Sequence, residues 1–205
     1  MSDRDLETDC AAVVFAAGAS SRLGQPKQLL KLDGEAFLHR TVRLATEAGC
    51  APIFVVLGFE SDCMQEELRD LGTKIVINPD WHSGMGSSLR CGIDALIKER
   101  PLPQRVLLLL CDQAKLSPGI LFELMRTSLK ADSLITASRY TGRLGVPAIF
   151  HKQLYPDLLK VEGDHGARFV IQRYLNQTTT VDFPEGAIDI DTPQDLSLLE
   201  AISRR

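Results

Sequence analysis

The feature that most constrains the fold is a set of short, uninterrupted apolar runs separated by amphipathic stretches. The clearest runs are Ala11–Ala16 (A-A-V-V-F-A), Ile53–Leu57 (I-F-V-V-L) and Val106–Leu110 (V-L-L-L-L). A strand that is apolar at every position, not only at alternate ones, is typical of a sheet covered on both faces. The alternation of such strands with helical stretches predicts an α/β fold, a three-layer sandwich with a mostly parallel sheet between helices.

Hydrophobic period and turn residues place the remaining elements. Further strands are predicted at Lys74–Ile77, Ser133–Ala137, Val146–Phe150, Thr179–Asp182 and Ile188–Ile190. Helices are predicted at Leu38–Ala48, Ser61–Leu71, Ser87–Arg100, Pro118–Lys130, Ala167–Leu175 and Thr192–Ser203. Gly49 closes the first helix, Ser61 is predicted to cap the second, and Thr192 with Asp195 resembles a capping box.

Length and charge limit the organisation and the partners. With 205 residues, one domain over residues 11–205 is expected, preceded by a flexible N-terminal segment at residues 1–10. The net charge of −4, from 23 basic and 27 acidic residues without a Lys/Arg block, argues against a nucleic-acid partner. The longest apolar run is far below the ~20 residues that a membrane-spanning helix needs. The acidic, polar N-terminus is unlike a signal peptide, so a cytoplasmic protein without a membrane partner is predicted.

The five cysteines form no C-x-x-C pair, which argues against a zinc or iron–sulfur site and fits a reducing compartment.

Ligands of open α/β sheets lie beyond the carboxyl ends of the strands, so the loop after the first strand is the first place to look. Its sequence, at Ala16–Lys27, is A-A-G-A-S-S-R-L-G-Q-P-K. Small residues let backbone N–H groups approach phosphate oxygens, and Arg22 and Lys27 supply charge-assisted hydrogen bonds. The loop matches neither the P-loop pattern nor the G-x-G-x-x-G dinucleotide pattern. Judged alone, it is equally a phosphate-binding loop or a glycine-rich turn with solvent-facing charges.

Three later segments also follow predicted strands. In Asn78–Ser88, Gly84 and Gly86 indicate a tight turn or a close backbone approach, and the serines after them either cap a helix or contact a ligand. Asp112 directly follows the most buried strand, where a carboxylate is well placed to hold a hard cation. Asp189 and Asp191 alternate on a predicted strand, so both can face one side. Two strand-end carboxylates with phosphate oxygens are a usual arrangement for Mg²⁺ on a triphosphate.

These segments resemble, in their order along the chain, the molybdenum cofactor cytidylyltransferase group, a MobA-like NTP transferase family with a Rossmann-like, glycosyltransferase-A-like nucleotidyltransferase fold. The resemblance covers about residues 11–200. Besides the loop it rests on N-P-D-W-H-S-G-M-G-S-S-L-R-C-G, L-L-L-L-C-D-Q, G-V-P-A-I-F, G-D-H-G-A-R and D-I-D-T-P-Q-D. The loop alone indicates only the superfamily, whereas the ordered set indicates this group.

The resemblance implies a role for each matching position. The nucleotide-binding residues would be Ala17, Gly18, Ala19, Arg22, Lys27, Gly84 and Ser88. The metal ligands for Mg²⁺ would be Asp112 and Asp191, the catalytic residues Lys27, Arg22 and Asp112, and the acceptor-binding residues Asp164 and Arg168. Two departures are Ala114, where the group commonly has proline, and His165, which leaves the acceptor less defined.

The implied reaction transfers CMP from CTP to the terminal phosphate of molybdopterin or the molybdenum cofactor and releases pyrophosphate. The partners are then CTP or another NTP, a phosphorylated pterin acceptor and a molybdoenzyme apo-protein. Two alternatives stay open from the sequence. One is a guanylyl- or other nucleotidylyltransferase with a different phosphorylated acceptor. The other is a molybdenum-cofactor-carrying chaperone for xanthine dehydrogenase-type enzymes.

Overall fold

A seven-stranded sheet forms the centre of the molecule in the computed structural model, which describes residues 10–188, 190 and 192–196. The strands are β1 (Cys10–Ala16), β4 (Ile53–Leu57), β5 (Lys74–Ile77), β6 (Arg105–Leu110), β7 (Ile135–Tyr140), β8 (Arg143–His151) and β9 (Thr178–Asp182). The order is β5-β4-β1-β6-β8-β7-β9, and β8 is antiparallel to both of its neighbours. A short antiparallel pair, β2 (Lys31–Leu32) and β3 (Glu35–Ala36), stands apart from this sheet.

Two layers of helices cover the sheet. The helices are α1 (Phe37–Glu47), α2 (Ser61–Glu67), α3 (Met85–Leu96), α4 (Pro118–Lys130), α5 (Tyr155–Leu158) and α6 (Arg168–Arg173). Alternate residues of β1 belong to different cores: Val14 packs with α1, α2 and α4, whereas Val13 packs with α3, α5 and α6. The prediction of a three-layer α/β sandwich with a mostly parallel sheet is therefore confirmed, because strands that were apolar throughout are indeed buried on both faces.

Most predicted elements are present, with shifted ends. Helix α3 begins two residues earlier than predicted, because Gly86 lies inside the helix and does not interrupt it. Helix α2 begins at Ser61, so the prediction that Ser61 is its N-cap was wrong; Glu60, with φ 48°, takes that position. The β2–β3 pair and α5 were not predicted, since each is four residues or shorter and has no hydrophobic period.

The C-terminal region was predicted less well. Ile188 and Ile190 are not in a strand, and the latter instead packs with Leu32, Phe37 and Ala114 in a small separate cluster. The predicted capping contact is present, because Asp195 Oδ2 accepts hydrogen bonds from Thr192 N and Thr192 Oγ1, both at 2.8 Å. The rest of the predicted closing helix, from residue 197, lies outside the described residues, as do residues 1–9 of the predicted N-terminal segment.

Within the described part of the chain, no helix has the length and apolar character needed to cross a bilayer.

Candidate functional site

A cleft lies at the carboxyl edge of the parallel strands, where β1 and β6 are neighbours. The chain runs outward from β1 to β4 and β5 and then returns to β6, so the strand order reverses between β1 and β6. Such a reversal leaves a crevice, which is where open α/β sheets bind ligands. The crevice has a volume of about 340 Å³ and is lined by the loop after β1, the turn before α3 and the end of β6. The sequence-based placement of the site at strand ends agrees with this geometry.

The loop after β1 is held by its own hydrogen bonds. Ser20, at φ 51°, accepts hydrogen bonds at its carbonyl from Leu23 N and Gly24 N, and its Oγ accepts one from Lys27 N at 3.1 Å. These bonds curl the loop so that Gly18 remains exposed at the cleft. An exposed, tightly curled backbone of small residues is suited to binding phosphate oxygens.

Gln28 fixes this loop from below and was not recognised from the sequence. It is 1% exposed, and its Nε2 donates to the carbonyls of Ala16 at 3.0 Å and Gly18 at 2.8 Å. A buried amide that satisfies two loop carbonyls is costly to replace, because each abandoned carbonyl would lose its partner. Gln28 therefore acts as a positioning residue for the loop. The signal available in the sequence was only a polar residue directly before an apolar pair.

Lys27 and Asp112 meet across the cleft. The Lys27 ammonium donates to Asp112 Oδ2 in an ion pair between groups 85 positions apart. Asp112 is 8% exposed, and its other oxygen, Oδ1, is buried without a hydrogen-bond partner among the described residues. A hard oxygen with unused lone pairs at a strand end is suited to bind a hard cation. The structure thus joins two residues that were predicted separately.

The described residues offer few metal ligands in this cleft. Among the described residues, no group of three or more His, Cys, Asp or Glu side chains is arranged to hold a metal ion. The second predicted ligand, Asp191, lies outside those residues, as does Asp189. The described carboxylate therefore fits a metal whose remaining ligands come largely from a triphosphate and water.

Cys111 also lines the cleft but is not suited to nucleophilic chemistry. Burial, reinforced by the neighbouring Asp112 carboxylate, raises the pKa of its thiol to about 12. At neutral pH the group is a protonated thiol, which is a poor nucleophile.

A buried asparagine organises the turn before α3. Asn78 Nδ2 donates to Ser87 Oγ at 2.9 Å and to Ser88 Oγ at 3.0 Å. Ser87 Oγ also lies within hydrogen-bond distance of the Gly84 carbonyl, at 2.8 Å. Neither serine caps the helix, because α3 already begins at Met85. Ser88 lines the cleft, and because its oxygen accepts from Asn78, its hydroxyl proton can be donated to a ligand.

Gly84, just before α3, and Gly86, in its first turn, allow a second segment to pack here. A Cβ on Gly84, which has φ +96°, would lie 2.5 Å from Asp164 Oδ1 and 2.6 Å from the Gly163 carbonyl oxygen. A Cβ on Gly86 would lie 2.8 Å from the Glu162 carbonyl carbon, and Gly86 N donates to the Gly163 carbonyl at 2.8 Å. The close approach expected from these glycines is therefore to the backbone of residues 162–163. This contact places the predicted acceptor segment directly beside the predicted nucleotide turn.

Trp81, whose role the sequence did not define, forms a wall of the cleft. Its ring packs edge-on to Phe59, with ring centroids 5.6 Å apart. A Cβ on Gly58 would lie 2.6 Å from the Trp81 Cβ and 2.9 Å from the Ala17 carbonyl oxygen. Gly58 thus lies between Trp81 and the Ala17 carbonyl, at a position where only glycine fits.

The remaining predicted residues lie in an adjoining cavity or on the exposed segment that leads into α6. Arg22 and Lys27, with Gly18, Ser20 and Ser21, line an adjoining cavity of about 190 Å³. Asp164 and Arg168 are exposed, the latter as the first residue of α6. His165 packs against Phe169, which is 51% exposed, with ring centroids 5.5 Å apart. Cationic groups therefore line the adjoining cavity, and an exposed aromatic pair joins the segment before α6 to that helix.

Comparison with known proteins identifies relatives along nearly the whole chain. A family model described as the MobA-like NTP transferase domain matches residues 12–179. The nicotine blue oxidoreductase of Paenarthrobacter nicotinovorans is 31% identical over 206 residues, which span 96% of this chain and 98% of that protein. The molybdenum cofactor cytidylyltransferase of Escherichia coli strain K12 is 25% identical over 188 residues, spanning 91% of this chain and 92% of that protein.

A solved structure shows the same fold. Rv0371c from Mycobacterium tuberculosis H37Rv has a TM-score of 0.80 at 28% identity, covering 94% of this chain and 97% of that chain. A second crystal structure of Rv0371c, in complex with manganese, has a TM-score of 0.74 at 25% identity with the same coverage.

Proposed function

This chain belongs to the MobA-like NTP transferase family, and from that premise we propose that it transfers CMP from CTP to the terminal phosphate of a molybdopterin-type acceptor, with release of pyrophosphate. Nucleotidyl transfer is the activity of the family, whereas the base and the acceptor are our proposal. The observation that carries the transferase chemistry is the pairing of Lys27 and Asp112 at the strand-order reversal, below a curled loop of small residues. The acceptor is supported by the name of the E. coli relative and by the segment beside the nucleotide turn.

The two adjoining cavities suggest that the triphosphate and the base of the nucleotide bind in different places. The backbone of Ala17–Ala19, with Arg22 and Lys27, would bind the triphosphate, because these groups line the smaller cavity and its junction with the cleft. The base would lie against Gly84 and Ser88 in the larger cavity. Charge-assisted hydrogen bonds to phosphate are strong and directional, so this arrangement would hold the α-phosphorus at the junction.

Asp112, with Asp191, would hold Mg²⁺, which when bound neutralises charge on the triphosphate. The acceptor phosphate, with a second pKa near ~6, is already largely dianionic at neutral pH. No residue is therefore needed to remove a proton before it attacks the α-phosphorus in line. The contribution of Lys27 would be to stabilise the charge that develops as pyrophosphate leaves.

The acceptor would approach over residues 163–168. Arg168, exposed at the first turn of α6, is suited to bind its phosphate, and Asp164 lies against Gly84 at the border of the nucleotide cavity. The tilted His165–Phe169 pair offers an exposed aromatic surface of the kind on which a flat ring system can stack. This surface supports a heteroaromatic acceptor.

The direct test is a panel of four NTPs, each incubated with Mg²⁺ and molybdopterin, with pyrophosphate release as the measurement. We expect release with CTP and acceptor together, and only background release with CTP alone. Release with GTP in place of CTP would show a guanylyltransferase. Tight molybdopterin binding without pyrophosphate release from any NTP would replace the proposal with the cofactor-carrying chaperone.

A second candidate function comes from the P. nicotinovorans relative, which is named an oxidoreductase. Because the identity is 31% over almost the whole chain, the second candidate is that the same cleft of this protein also binds a redox cofactor. The purified protein would then carry a flavin absorbance spectrum or consume NADH or NADPH with an electron acceptor. A colourless protein that consumes neither NADH nor NADPH would remove this candidate and leave the transferase assay unaffected.

A further inference from the structure

Lys27 occupies the carboxylate that the proposed reaction assigns to the metal. Its ammonium group is bound to Asp112 Oδ2, while Asp112 Oδ1 lies buried beside it without a partner among the described residues. Asp112 is 8% exposed, so its charge is largely removed from water. A buried carboxylate needs a counter-charge close by, and Lys27 supplies it. The Lys27 ammonium thus takes the place of the metal cation.

A divalent cation and the Lys27 ammonium compete for the same carboxylate. A metal bound to Asp112 would lie within a few ångströms of the ammonium, where two positive charges repel strongly outside bulk water. The metal therefore binds well only after the ammonium has moved towards another anion. In this cleft the natural anion is the triphosphate itself.

The surrounding contacts allow the side chain to move while the backbone stays in place. Lys27 N is bound to Ser20 Oγ at 3.1 Å, and the next residue, Gln28, is buried and bonded to the carbonyls of Ala16 and Gly18. Lys27 lines both the cleft and the adjoining cavity that contains Arg22. Rotation about its side-chain bonds is thus enough to carry the ammonium from Asp112 towards a phosphate in the second cavity.

We propose that Lys27 is a built-in counter-ion that neutralises Asp112 until an NTP arrives, and that its transfer to the triphosphate opens the metal site. Metal and NTP then bind cooperatively, and the free protein has a low affinity for the metal alone. By linkage, the factor by which NTP raises metal affinity equals the factor by which metal raises NTP affinity. This inference rests on the proposed function, since it takes the site to bind a metal–NTP complex.

The test measures Mn²⁺ binding to the nucleotide-free protein by electron paramagnetic resonance, which needs no catalysis. Lys27→Met removes the charge and keeps a chain of similar shape, so we expect its Mn²⁺ affinity to rise by about 5- to 150-fold, the range of a typical coupling between two sites. Lys27→Arg keeps the charge and should bind Mn²⁺ as weakly as the unmodified protein. Lys130→Met is the matched control, because it removes one exposed lysine at the end of α4, on the opposite edge of the sheet.

An unchanged Mn²⁺ affinity in Lys27→Met, with a normal thermal melt, would overturn the inference. If that variant does not fold, Lys27→Gln serves in its place. Asp112→Asn combined with Lys27→Met should abolish the gain, and a gain that survives would place the measured site elsewhere and also overturn the inference. The result is separable from the proposed function. Tighter Mn²⁺ binding in Lys27→Met, together with no pyrophosphate release from any NTP by the unmodified protein, would support the counter-ion and reject the transferase reaction.

Discussion

Two regions near the cleft, the loop after β1 and the 162–168 segment, are built in opposite ways. The loop after β1 is fixed by buried groups, with Gln28 bonded to two of its carbonyls and Lys27 paired with Asp112. The 162–168 segment, which packs against Gly84 and Gly86 at the start of α3, presents mostly exposed side chains. A phosphate site whose backbone is fixed in this way suits a reaction that depends on preorganised charge. An exposed segment can differ between relatives that share one scaffold, which suits it to recognising the acceptor. Four substitutions test this contrast.

Asp112→Ala is expected to have the largest effect. It removes the described metal ligand and leaves the Lys27 ammonium without its carboxylate, so divalent-dependent turnover should fall by at least about 10³-fold. The measurement is pyrophosphate release over a Mg²⁺ titration. Asp132→Ala, an exposed aspartate after α4, is the charge-matched control. Retained metal dependence in Asp112→Ala would remove this residue from the metal site.

Lys27→Ala should lower kcat by about 10²–10³-fold, which is the cost of losing one preorganised transition-state donor. The KM for the acceptor should stay within about twofold of the unmodified protein's value if the loop after β1 and the 162–168 segment act separately. Both constants come from initial rates with the acceptor varied at saturating CTP. Turnover near that of the unmodified protein would exclude Lys27 from the mechanism.

Gly84→Ala tests the junction between the 162–168 segment and the start of α3. The added methyl would lie 2.5–2.7 Å from Asp164 and Gly163, at a position with φ +96°, so we expect a loss of about 1–3 kcal/mol in the free energy of unfolding. The KM values for CTP and acceptor should both rise. Urea denaturation gives the first quantity. Gly119→Ala is the matched control, because the nearest atom to its added methyl, Ser117 Oγ, is 3.9 Å away. Equal stability of the two variants would contradict the tight junction.

Arg168→Ala should have the smallest effect and should change the binding of the acceptor only. Losing one exposed charge-assisted hydrogen bond would raise the acceptor KM by about tenfold and leave the KM for CTP unchanged. Arg173→Ala, at the other end of α6, provides the control on the same helix. A parallel change in the CTP constant would show that the acceptor segment also shapes the nucleotide site.

The fold class and the strand ends that line the cleft were predictable because their signals are local. The buried strands could be recognised from continuous apolar runs, since a strand covered on both faces has no polar position. Asp112 was selected because a carboxylate at the end of a buried strand has few structural reasons to be there, and Arg22 and Lys27 because they are the cations of the small-residue loop after the first strand. Their roles stay predictions. The assignment of Asp164 and Arg168 to the acceptor came from family resemblance, and no contact described in the structure tests it.

What the sequence determined by itself is the class of fold and the edge of the sheet where the cleft lies, because hydrophobic periodicity and the residues that follow each strand can be read from neighbours along the chain. Only the tertiary structure showed that Lys27 lies on Asp112, that Gln28 supports the loop and that Gly84 and Gly86 receive the backbone of residues 162–163. These contacts join segments up to 85 positions apart. Such pairings follow from strand order and helix packing, which no local pattern in a single sequence encodes.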